Sequence, residues 1–434
     1  MTRSLLTPDW RVNLANYDAL YVGFSGGLDS TVLLHAVATD PALAPKLHAV
    51  HVHHGLSEHA TAWQAHCQQF CEALGVPLIV HRVNFDSQAN IEEGARIARY
   101  QVFSELLSSK DGLLLAHHQD DQAETLLLQL LRGSGIDGLA SMPASKALAK
   151  GKLFRPFLQQ SRQMLEAYAR EHQLTWVEDE SNQNSMFSRN HLRHHIMPLL
   201  QEKWPEAATN LARSASHCQQ AKLNLGTLAN LDCETLFTQK DRLDLSCLKS
   251  LEHARLTNVL RVWLQANKVR LPSTNILNRI ISELILARED ATPVVQWEEV
   301  MLRRYQQTLF ILHNKSLSSS SSLEWSVFPA PLQLNSDLEY LQASSATEGL
   351  KIPPGSKVTI RFREGGELFS WRGQTKQLKK LWQEWQVPPW QRDVTPLLYI
   401  DNNLAAVVGH AISDSYFCRE ADNIYCVEWV FAKS

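Results

Sequence analysis

The chain has 434 residues and a formal net charge of −3 at pH 7, from 42 basic and 45 acidic side chains. This balance excludes a strongly basic protein whose bulk charge alone would bind nucleic acid. No run approaches the roughly 18 apolar residues of a membrane helix, and residues 1–10 lack the basic start and apolar run of a signal peptide. We therefore expect a cytoplasmic protein of several domains that does not enter a membrane.

Seven cysteines are scattered along the chain without a CxxC pair. An odd, dispersed set of this kind is typical of reduced thiols in a reducing compartment. We expect neither a disulfide framework nor a structural zinc site.

Short apolar runs alternate with helix-length segments through the first half of the chain. The runs occupy residues 19–24, 47–52, 78–83 and 113–116. This alternation predicts an α/β domain built on a doubly wound parallel sheet with helices on both faces.

Later segments predict three further regions. Residues 205–314 are mainly helical in pattern and close with one or two strands at 294–311, and residues 316–322 are serines broken only by Leu317. The final eighty residues alternate short strands with one helix, which indicates a small α+β domain. We predict a catalytic domain at 1–215, a middle domain at 216–315, a linker at 316–350 and a C-terminal domain at 351–434.

A glycine turn follows the first predicted strand and opens the first long helix. Backbone amides at two successive glycines approach an anion closely, and the helix start adds unpaired N–H groups and a positive dipole end. Polyphosphate is the natural ligand of such a turn, although a tight turn capped by Ser or Asp would use the same residue types. The candidate residues are Ser25, Gly26, Gly27, Leu28, Asp29 and Ser30.

Two other glycine patterns compete with this interpretation. Residues 23–27 match the G-x-S-x-G nucleophile elbow of hydrolases, but that elbow usually follows a mid-sheet strand and not the first one. Residues 133–138 spell GxGxxG but follow a helical run, so we interpret them as a loop that ends a helix. The lysine-bearing GxxxxGK[ST] loop is absent from the sequence.

Two carboxylates lie three residues apart at the start of the predicted helix 121–131. The spacing places Asp121 and Glu124 on one helix face, at the sheet edge where open parallel sheets bind ligands. An ordinary capping arrangement with Asp120 would also explain them. His117 and His118 beside these aspartates suggest a metal cluster as a further alternative.

Several segments together resemble the tRNA(Ile)-lysidine synthetase family of N-type ATP pyrophosphatases. The resemblance covers most of the chain and rests on SGGLDS at 25–30, HVHHGL at 51–56, EGAR at 93–96, HHQDDQAET at 117–125, RGSG at 132–135, RPF at 155–157, DESN at 179–182, RN at 189–190 and VPPWQR at 387–392.

The resemblance implies an enzyme that uses ATP with Mg²⁺ to join free L-lysine to the wobble cytidine of an isoleucine tRNA with a CAU anticodon. It further implies that residues 25–30 hold ATP. The residue type and position of Asp29 would let it cap the helix or help to hold Mg²⁺. The resemblance places Asp121, Glu124 and Arg189 around lysine and the activated cytidine.

The C-terminal region carries a local excess of positive charge. Eight basic residues in this stretch outnumber Glu364 and Glu367; they are Lys351, Lys357, Arg361, Arg363, Arg372, Lys376, Lys379 and Lys380. We expect phosphate contact with the tRNA from these residues. Tryptophans at 371, 382, 385 and 390 either stack on bases or form a core stripe. The basic segment 189–195 either meets the anticodon stem or forms a solvated helix face.

Three alternative functions remain at this point. A tRNA thiolation enzyme of the same superfamily would commonly carry paired cysteines, which this sequence lacks. A noncatalytic RNA-binding protein would have no need of the intact SGGLDS loop. A serine hydrolase would use Ser25 as its nucleophile.

Overall fold

The fold is described from a computed structural model, which covers residues 5–55, 59–83, 91–178, 180, 188–236, 238, 241–288, 291–313, 322–334, 339–419 and 422–431. The chain divides into two compact units, Met1–Leu231 and Asp232–Ser434. Within the described ranges, no helix is long and apolar enough to cross a membrane.

A six-stranded sheet forms the centre of the first unit. Its strands are β1 (Ala19–Gly23), β2 (Leu47–His53), β3 (Leu78–Arg82), β4 (Asp111–Leu114), β5 (Ser145–Leu148) and β6 (Gly151–Phe154). The order is β3-β2-β1-β4-β6-β5, and every pair is parallel except β5 with β6. The four strands that the apolar runs predicted are all present, which confirms the doubly wound fold class.

Helices cover both faces of this sheet. They are α1 (Pro8–Ala15), α2 (Leu28–Ala38), α3 (Ala60–Leu74), α4 (Ile91–Leu106), α5 (Gln119–Leu131), α6 (Ile136–Leu139), α7 (Arg162–Glu171), α8 (Ser188–His191), α9 (Met197–Lys203) and α10 (Ala207–Asp232). A π-helical turn, Leu192–Ile196, joins α8 to α9. One core packs α1, α2, α3 and α7 against Leu20 and Val22, whereas α4 packs against Val50 and Leu113 on the other face.

The strand order reverses direction at β1. The chain runs outward from β1 to β2 and β3, and then returns to place β4 on the other side of β1. Connections leave the carboxyl ends of β1 and β4 in opposite directions, which opens a crevice between them. The phosphate loop follows β1 and the Asp121–Glu124 segment follows β4, so both lie at this crevice.

The second unit begins with helices packed on a small antiparallel sheet. The helices are α11 (His253–Ala266) and α12 (Thr274–Arg279), which continues as a π-helical stretch, Ile280–Ile285. The strands, in the order β7-β10-β9-β8, are β7 (Arg242–Asp244), β8 (Val294–Trp297), β9 (Val300–Tyr305) and β10 (Thr308–His313). Residues 294–311 thus contain parts of three strands where one or two were expected.

A buried arginine fastens the π-helical stretch to this sheet. Arg304 on β9 has only 1% of its surface exposed. Its Nη1 donates to the carbonyls of Leu284 at 3.0 Å and Ala287 at 2.9 Å, and its Nε donates to Gln306 at 2.9 Å. Because the last carbonyls of a helix have no partner within it, the guanidinium satisfies groups that would otherwise be buried without hydrogen bonds.

The C-terminal part of the second unit is mainly antiparallel strand. Its elements are β11 (Leu323–Glu324), β12 (Leu332–Gln333), β13 (Glu339–Lys351), β14 (Val358–Arg361), β15 (Leu368–Trp371), β16 (Gln374–Gln377), α13 (Leu378–Glu384), α14 (Pro389–Arg392), β17 (Leu397–Ile400), β18 (Asn403–Val407), β19 (Ala411–Ile412), β20 (Phe417–Arg419) and β21 (Ile424–Phe431). One sheet has the order β11-β14-β17-β18-β19, and in another β13 pairs with β12, β20 and β21.

Two sequence expectations need correction here. The predicted linker 316–350 contains β11, β12 and most of β13, and Leu341 within it is fully buried, so residues 339–350 belong to the folded domain. Residues 316–321 lie outside the described residues, and the boundaries at 215 and 315 stay predictions. Cys233 and Cys247 form a disulfide, so the expectation of reduced thiols is wrong for this pair. Their 14-residue separation gave no sequence signal.

Candidate active site

The predicted phosphate loop forms a turn held by its own hydroxyl groups. Gly26 has φ of +85°, and a Cβ at this position would lie 3.0 Å from Cys67 Sγ and 3.1 Å from Val177 Cγ2. The Ser30 hydroxyl donates to the Gly27 carbonyl at 3.0 Å and lies 3.1 Å from Ser25 Oγ. The backbone conformation therefore requires glycine at 26, and the two serines fix the turn at the start of α2.

The hydrolase interpretation of Ser25 can be judged from the same contacts. β1 is an interior strand of the sheet, so the strand position does not exclude a nucleophile elbow. The described hydrogen-bond partners of Ser25 Oγ are, however, Ser30 and the Gly27 amide, and no histidine is among them. A serine nucleophile needs an adjacent base, so these contacts disfavour a serine hydrolase.

His118 links the phosphate loop to the start of α5. Its side chain is 1% exposed, and Nε2 lies 3.6 Å from Asp29 Oδ2 and 3.5 Å from Asp121 Oδ2. Its Nδ1 lies 3.5 Å from Asp120 Oδ2. Burial lowers the pKa of His118, but Asp121, Asp120 and Asp29 outweigh burial and raise it to about 10. A charged imidazolium thus lies between the two predicted half-sites.

Asp121 and Glu124 are joined to two arginines in a compact ion cluster. Arg189 Nη2 donates to Asp121 Oδ1 at 2.8 Å, and Arg189 Nε donates to Glu124 Oε2 at 2.8 Å. Arg193 contacts both oxygens of Glu124, from Nε to Oε1 at 2.7 Å and from Nη2 to Oε2 at 2.9 Å. Arg193 Nη2 also lies 3.1 Å from Asp121 Oδ1. The structure therefore brings together the three residues that the resemblance implied, and adds a fourth.

Burial and neighbouring charges shift the pKa of Asp121 in opposite directions. Its side chain is 11% exposed, and this burial raises its pKa. His118, Arg189, His117 and Arg193 overcome burial and hold the pKa below its usual range. Asp121 is consequently an ionised carboxylate near neutral pH.

The capping interpretation is correct for one role of Asp121. Its Oδ2 accepts from the His118 backbone N–H at 3.0 Å, so it caps α5 as well as joining the ion cluster. Asp120 instead accepts from the Arg162 backbone N–H at 2.9 Å, at the start of α7. Among the described residues, the partners of the Glu124 side chain are Arg189 and Arg193 and not a helix-capping backbone N–H, so the cap explains Asp121 but not Glu124.

Two neighbouring histidines, the buried His51 and the partly buried His117, have lowered pKa values and are therefore uncharged near pH 7. His117 accepts from Arg155 Nε at 3.2 Å, and burial together with nearby arginines lowers its pKa to about 3. His51 donates from Nδ1 to the Phe24 carbonyl at 3.0 Å, and burial lowers its pKa as well. Among the residues that the structure describes, no group of His, Cys, Asp or Glu has the arrangement of a metal site. The metal-cluster alternative therefore gains no support.

Arg193 is the site residue that sequence reasoning did not single out. The segment 189–195 was interpreted as either a contact for the anticodon stem or a solvated face. Instead, Arg193 points inward with its side chain 25% exposed. The π-helical turn Leu192–Ile196 presents it beside Arg189 on the same carboxylates. The four-residue spacing of the two arginines was the available signal.

Two further predictions have a clear outcome. The GxGxxG pattern follows α5, and Gly133 has φ of +68° where the helix ends, which confirms a helix-ending loop.

Trp382 is fully buried and packs edge-on against Trp385 with a ring-centroid distance of 5.7 Å, so this part of the tryptophan set is a core stripe. Trp390 packs against Phe310 at 5.5 Å.

The predicted basic patch is partly neutralised. Lys357 pairs with Glu324, Arg363 with Asp393 and Lys376 with Glu384, at 2.8 to 3.1 Å. Lys379 and Lys380 on α13 are exposed. These two lysines are therefore stronger candidates for phosphate contact than the paired residues.

Three protein-family models match successive parts of the chain. A PP-loop domain model matches residues 6–200, a TilS substrate binding domain model matches 243–310, and a TilS substrate C-terminal domain model matches 358–429. A tRNA(Ile)-lysidine synthase of Legionella pneumophila (strain Paris) is 52% identical over 418 residues, which cover 96% of this chain and 97% of the relative. The chain belongs to the tRNA(Ile)-lysidine synthase family.

Other members of this family are also similar over most of their length. The tRNA(Ile)-lysidine synthase of Coxiella burnetii is 42% identical and covers 91% of this chain and 89% of the relative. That of Serratia proteamaculans is 40% identical and covers 99% of both. As a tRNA(Ile)-lysidine synthase family member with a PP-loop domain, the chain is a ligase that uses ATP to modify tRNA.

Proposed function

We propose that this ligase joins free L-lysine to C2 of the wobble cytidine of an isoleucine tRNA with a CAU anticodon. In the first step the C2 oxygen attacks the α-phosphorus of ATP, a P–O bond forms, and pyrophosphate leaves. In the second step the lysine ε-amine forms a C–N bond to C2, the C–O bond breaks, AMP leaves, and the amine releases a proton. The product is lysidine.

One observation carries this proposal: the phosphate loop and the carboxylate–arginine cluster share one crevice, and His118 contacts both. Nε2 of His118 lies within 3.6 Å of Asp29 in the loop and of Asp121 in the cluster. An activating nucleotide and a cationic amine would thus lie side by side. Two reactants held at contact distance react far faster than free ones, because orientation is fixed before the reaction.

The phosphate loop has the features needed to hold ATP. The Gly26 and Gly27 amides and the start of α2 favour a polyphosphate bound beside residues 25–30. Asp29 Oδ1 is buried and has no hydrogen-bond partner among the described residues. An orphaned carboxylate oxygen suits Mg²⁺, which prefers oxygen ligands and travels with ATP. We assign Mg²⁺ contact to Asp29, where the ion would neutralise phosphate charge.

The carboxylate cluster suits the second step. A ring oxygen leaves poorly, so its transfer to AMP provides a better leaving group for attack by an amine. Lysine with a reference pKa of about 10.4 is mostly protonated near pH 7 and must lose a proton to attack. We assign Asp121 to grip this amine, Glu124 to grip it as well or to accept its proton, and Arg189 to the phosphate or base.

The tRNA body would lie partly on the C-terminal region. Exposed Lys379 and Lys380 supply positive charge for phosphate contact. Such contacts position an RNA without reading its sequence, so discrimination against other tRNAs must come from elsewhere. We also propose a cytoplasmic location, where tRNA, ATP and lysine are all present.

Incorporation of labelled lysine tests the proposal directly. Unmodified isoleucine tRNA with a CAU anticodon is incubated with labelled L-lysine, with and without ATP. Methionine tRNA, which shares this anticodon, is the control. ATP-dependent labelling of the isoleucine tRNA alone is the expected result. Cleavage of ATP to AMP and pyrophosphate with another tRNA and no lysine incorporation would overturn the assigned acceptor and amine.

A further inference from the structure

Arg193 occupies the carboxylates that the proposed reaction needs for lysine. Glu124 Oε1 accepts from Arg193 Nε at 2.7 Å, and Glu124 Oε2 accepts from Arg193 Nη2 at 2.9 Å and from Arg189 Nε at 2.8 Å. Asp121 Oδ1 accepts from both arginines, and its Oδ2 accepts from the His118 backbone. All four oxygens of the pair are thus engaged.

The charge of the pair is also balanced. Two carboxylates face two guanidiniums, with the Glu124 side chain 3% exposed. The charged His118 lies on the other side of Asp121. A lysine ammonium added to this arrangement would be a third cation beside two guanidiniums, in surroundings where water screens charge poorly. One arginine must withdraw before the amine binds.

The hydrogen bonds identify which arginine this is. Arg193 is the sole described donor to Glu124 Oε1, whereas every oxygen that Arg189 contacts also accepts from Arg193. Departure of Arg189 would therefore free no oxygen. Departure of Arg193 would free Oε1 completely and would not by itself remove the contacts of Arg189 with Glu124 Oε2 and Asp121 Oδ1.

The phosphate loop offers Arg193 another partner. Burial lowers the pKa of Arg193, but Glu124, Asp121 and also Asp29 in the loop raise it above its usual value. The contacts give the same neighbourhood: Arg193 Nη2 lies 3.1 Å from Asp121 Oδ1, and His118 Nε2 lies 3.5 Å from Asp121 Oδ2 and 3.6 Å from Asp29 Oδ2 in the loop, where the nucleotide phosphates would bind. A polyphosphate there competes with Glu124 for the guanidinium, because arginine binds phosphate as well as carboxylate through its planar fork.

We propose that Arg193 sets the order of substrate binding. It blocks the lysine amine from Glu124 in the ligand-free enzyme and withdraws toward the nucleotide phosphates, so that lysine binds after ATP. This inference rests on the proposed function and extends it to a residue with a positioning and gating role. It predicts that nucleotide strengthens lysine binding in the wild type and not in a variant without the guanidinium.

Equilibrium dialysis of labelled L-lysine against the full-length enzyme tests this order. The measurement is made with and without α,β-methylene ATP, whose α–β bridge cannot release pyrophosphate. If Arg193 leaves Glu124 in about one tenth of ligand-free molecules, the analogue should strengthen lysine binding to the wild type by about tenfold. Arg193→Gln should bind lysine about tenfold more tightly than the wild type without nucleotide, and the analogue should add little.

Two further variants make the outcome decisive. Arg162→Gln removes a guanidinium that pairs with Glu166 on α7, and it should leave lysine binding and its nucleotide dependence as in the wild type. Arg193→Lys keeps the charge but replaces the fork with a single ammonium, so its lysine affinity should fall between those of the wild type and Arg193→Gln. If Arg193→Gln does not fold, as judged by thermal unfolding, Arg193→Lys carries the test.

Failure of this inference differs from failure of the proposed function. Lysine binding by Arg193→Gln no tighter than by the wild type, while the wild type still incorporates lysine into tRNA, would overturn the gating role alone. Lysine binding by Arg193→Lys that is as weak as in the wild type, or weaker, would also overturn the gating role alone. Absence of lysine incorporation by the wild type would overturn the proposed function and the gating role together.

Discussion

Nε2 of His118 lies 3.6 Å from Asp29 Oδ2, which joins the start of α5 to the loop after β1. The two residues are 89 positions apart in the chain, yet the strand order β2-β1-β4 makes their segments neighbours. A change in either residue therefore affects both predicted half-sites.

Asp29→Ala should abolish pyrophosphate release and leave the fold intact. Asp29 is 32% exposed and its Oδ1 has no described hydrogen-bond partner. The change removes a charge near the phosphates and one contact of His118, which keeps Asp120 and Asp121 as partners. Pyrophosphate release with ATP and tRNA, together with circular dichroism, checks this. Asp18→Ala is the control, because Asp18 is exposed and precedes β1 at the opposite edge of the sheet. Normal turnover by Asp29→Ala would remove the phosphate-loop assignment.

Glu124→Gln should separate the two chemical steps. Pyrophosphate release should persist, because the phosphate loop is untouched, whereas lysine incorporation should fall to background without the carboxylate. Parallel assays of pyrophosphate and of labelled lysine give the ratio of the two steps. Equal loss of both activities would instead assign Glu124 to ATP activation. Glu105→Gln is the control, since Glu105 is an exposed acid that accepts only from Gln101 among its described contacts.

The same Glu124→Gln variant should be less stable. The substitution leaves Arg189 and Arg193, which are 29% and 25% exposed, without the charge that both contact. Removal of one partner from a buried ion pair costs about 3 kcal/mol when the other partners keep some access to water. Denaturant unfolding measures this loss against Glu105→Gln. Unchanged stability would mean that the two arginines find other partners at no cost.

Arg304→Met should destabilise the second unit. The methionine fills similar space but leaves the carbonyls of Leu284 and Ala287 without their donor. Each buried carbonyl without a partner costs about 1–3 kcal/mol, so a loss of about 2–6 kcal/mol is expected from the two. Thermal unfolding measures it. Arg270→Met is the control, because Arg270 is 81% exposed and pairs with Glu298 at the surface, where the change should cost under about 1 kcal/mol.

Lys379→Ala with Lys380→Ala should weaken tRNA binding and reduce its dependence on salt. Each phosphate contact contributes about 0.9 to the slope of log K against log salt for duplex nucleic acid, so loss of both should lower the slope by about 2. Filter binding at several salt concentrations gives the slope. Lys357→Ala should change it less, because Glu324 already neutralises Lys357 at 2.8 Å. Equal effects of the two changes would argue against a special role for α13.

Local sequence patterns predicted much of this architecture. Four apolar runs predicted β1 to β4. The glycines and serines of residues 25–30 indicated a turn, and hydrogen bonds between near neighbours in the chain hold that turn. Asp121 and Glu124 were found together because helical spacing places residues three apart on one face. These features depend on neighbours in the chain, which a sequence shows directly.

Features that depend on contacts between residues far apart in the chain were harder to predict from the sequence. The pairing of Arg193 with Glu124 spans 69 residues and requires a π-helical turn. Asp120 looked like a cap for its own helix, but it accepts from Arg162 at the start of α7. β13 was missed because its long polar sequence lacks an apolar alternation, and its partners β20 and β21 come much later in the chain.

The central position of β13 limits how the C-terminal domain can be separated from the rest of the chain. Its thirteen residues, Glu339–Lys351, hold β12, β20 and β21 in one sheet. A fragment that starts at residue 351 would expose the edges of β20 and β21 and lose the buried Leu341, and unpaired strand edges promote aggregation. An expressible fragment should therefore begin before Leu323, where β11 joins the neighbouring sheet through β14.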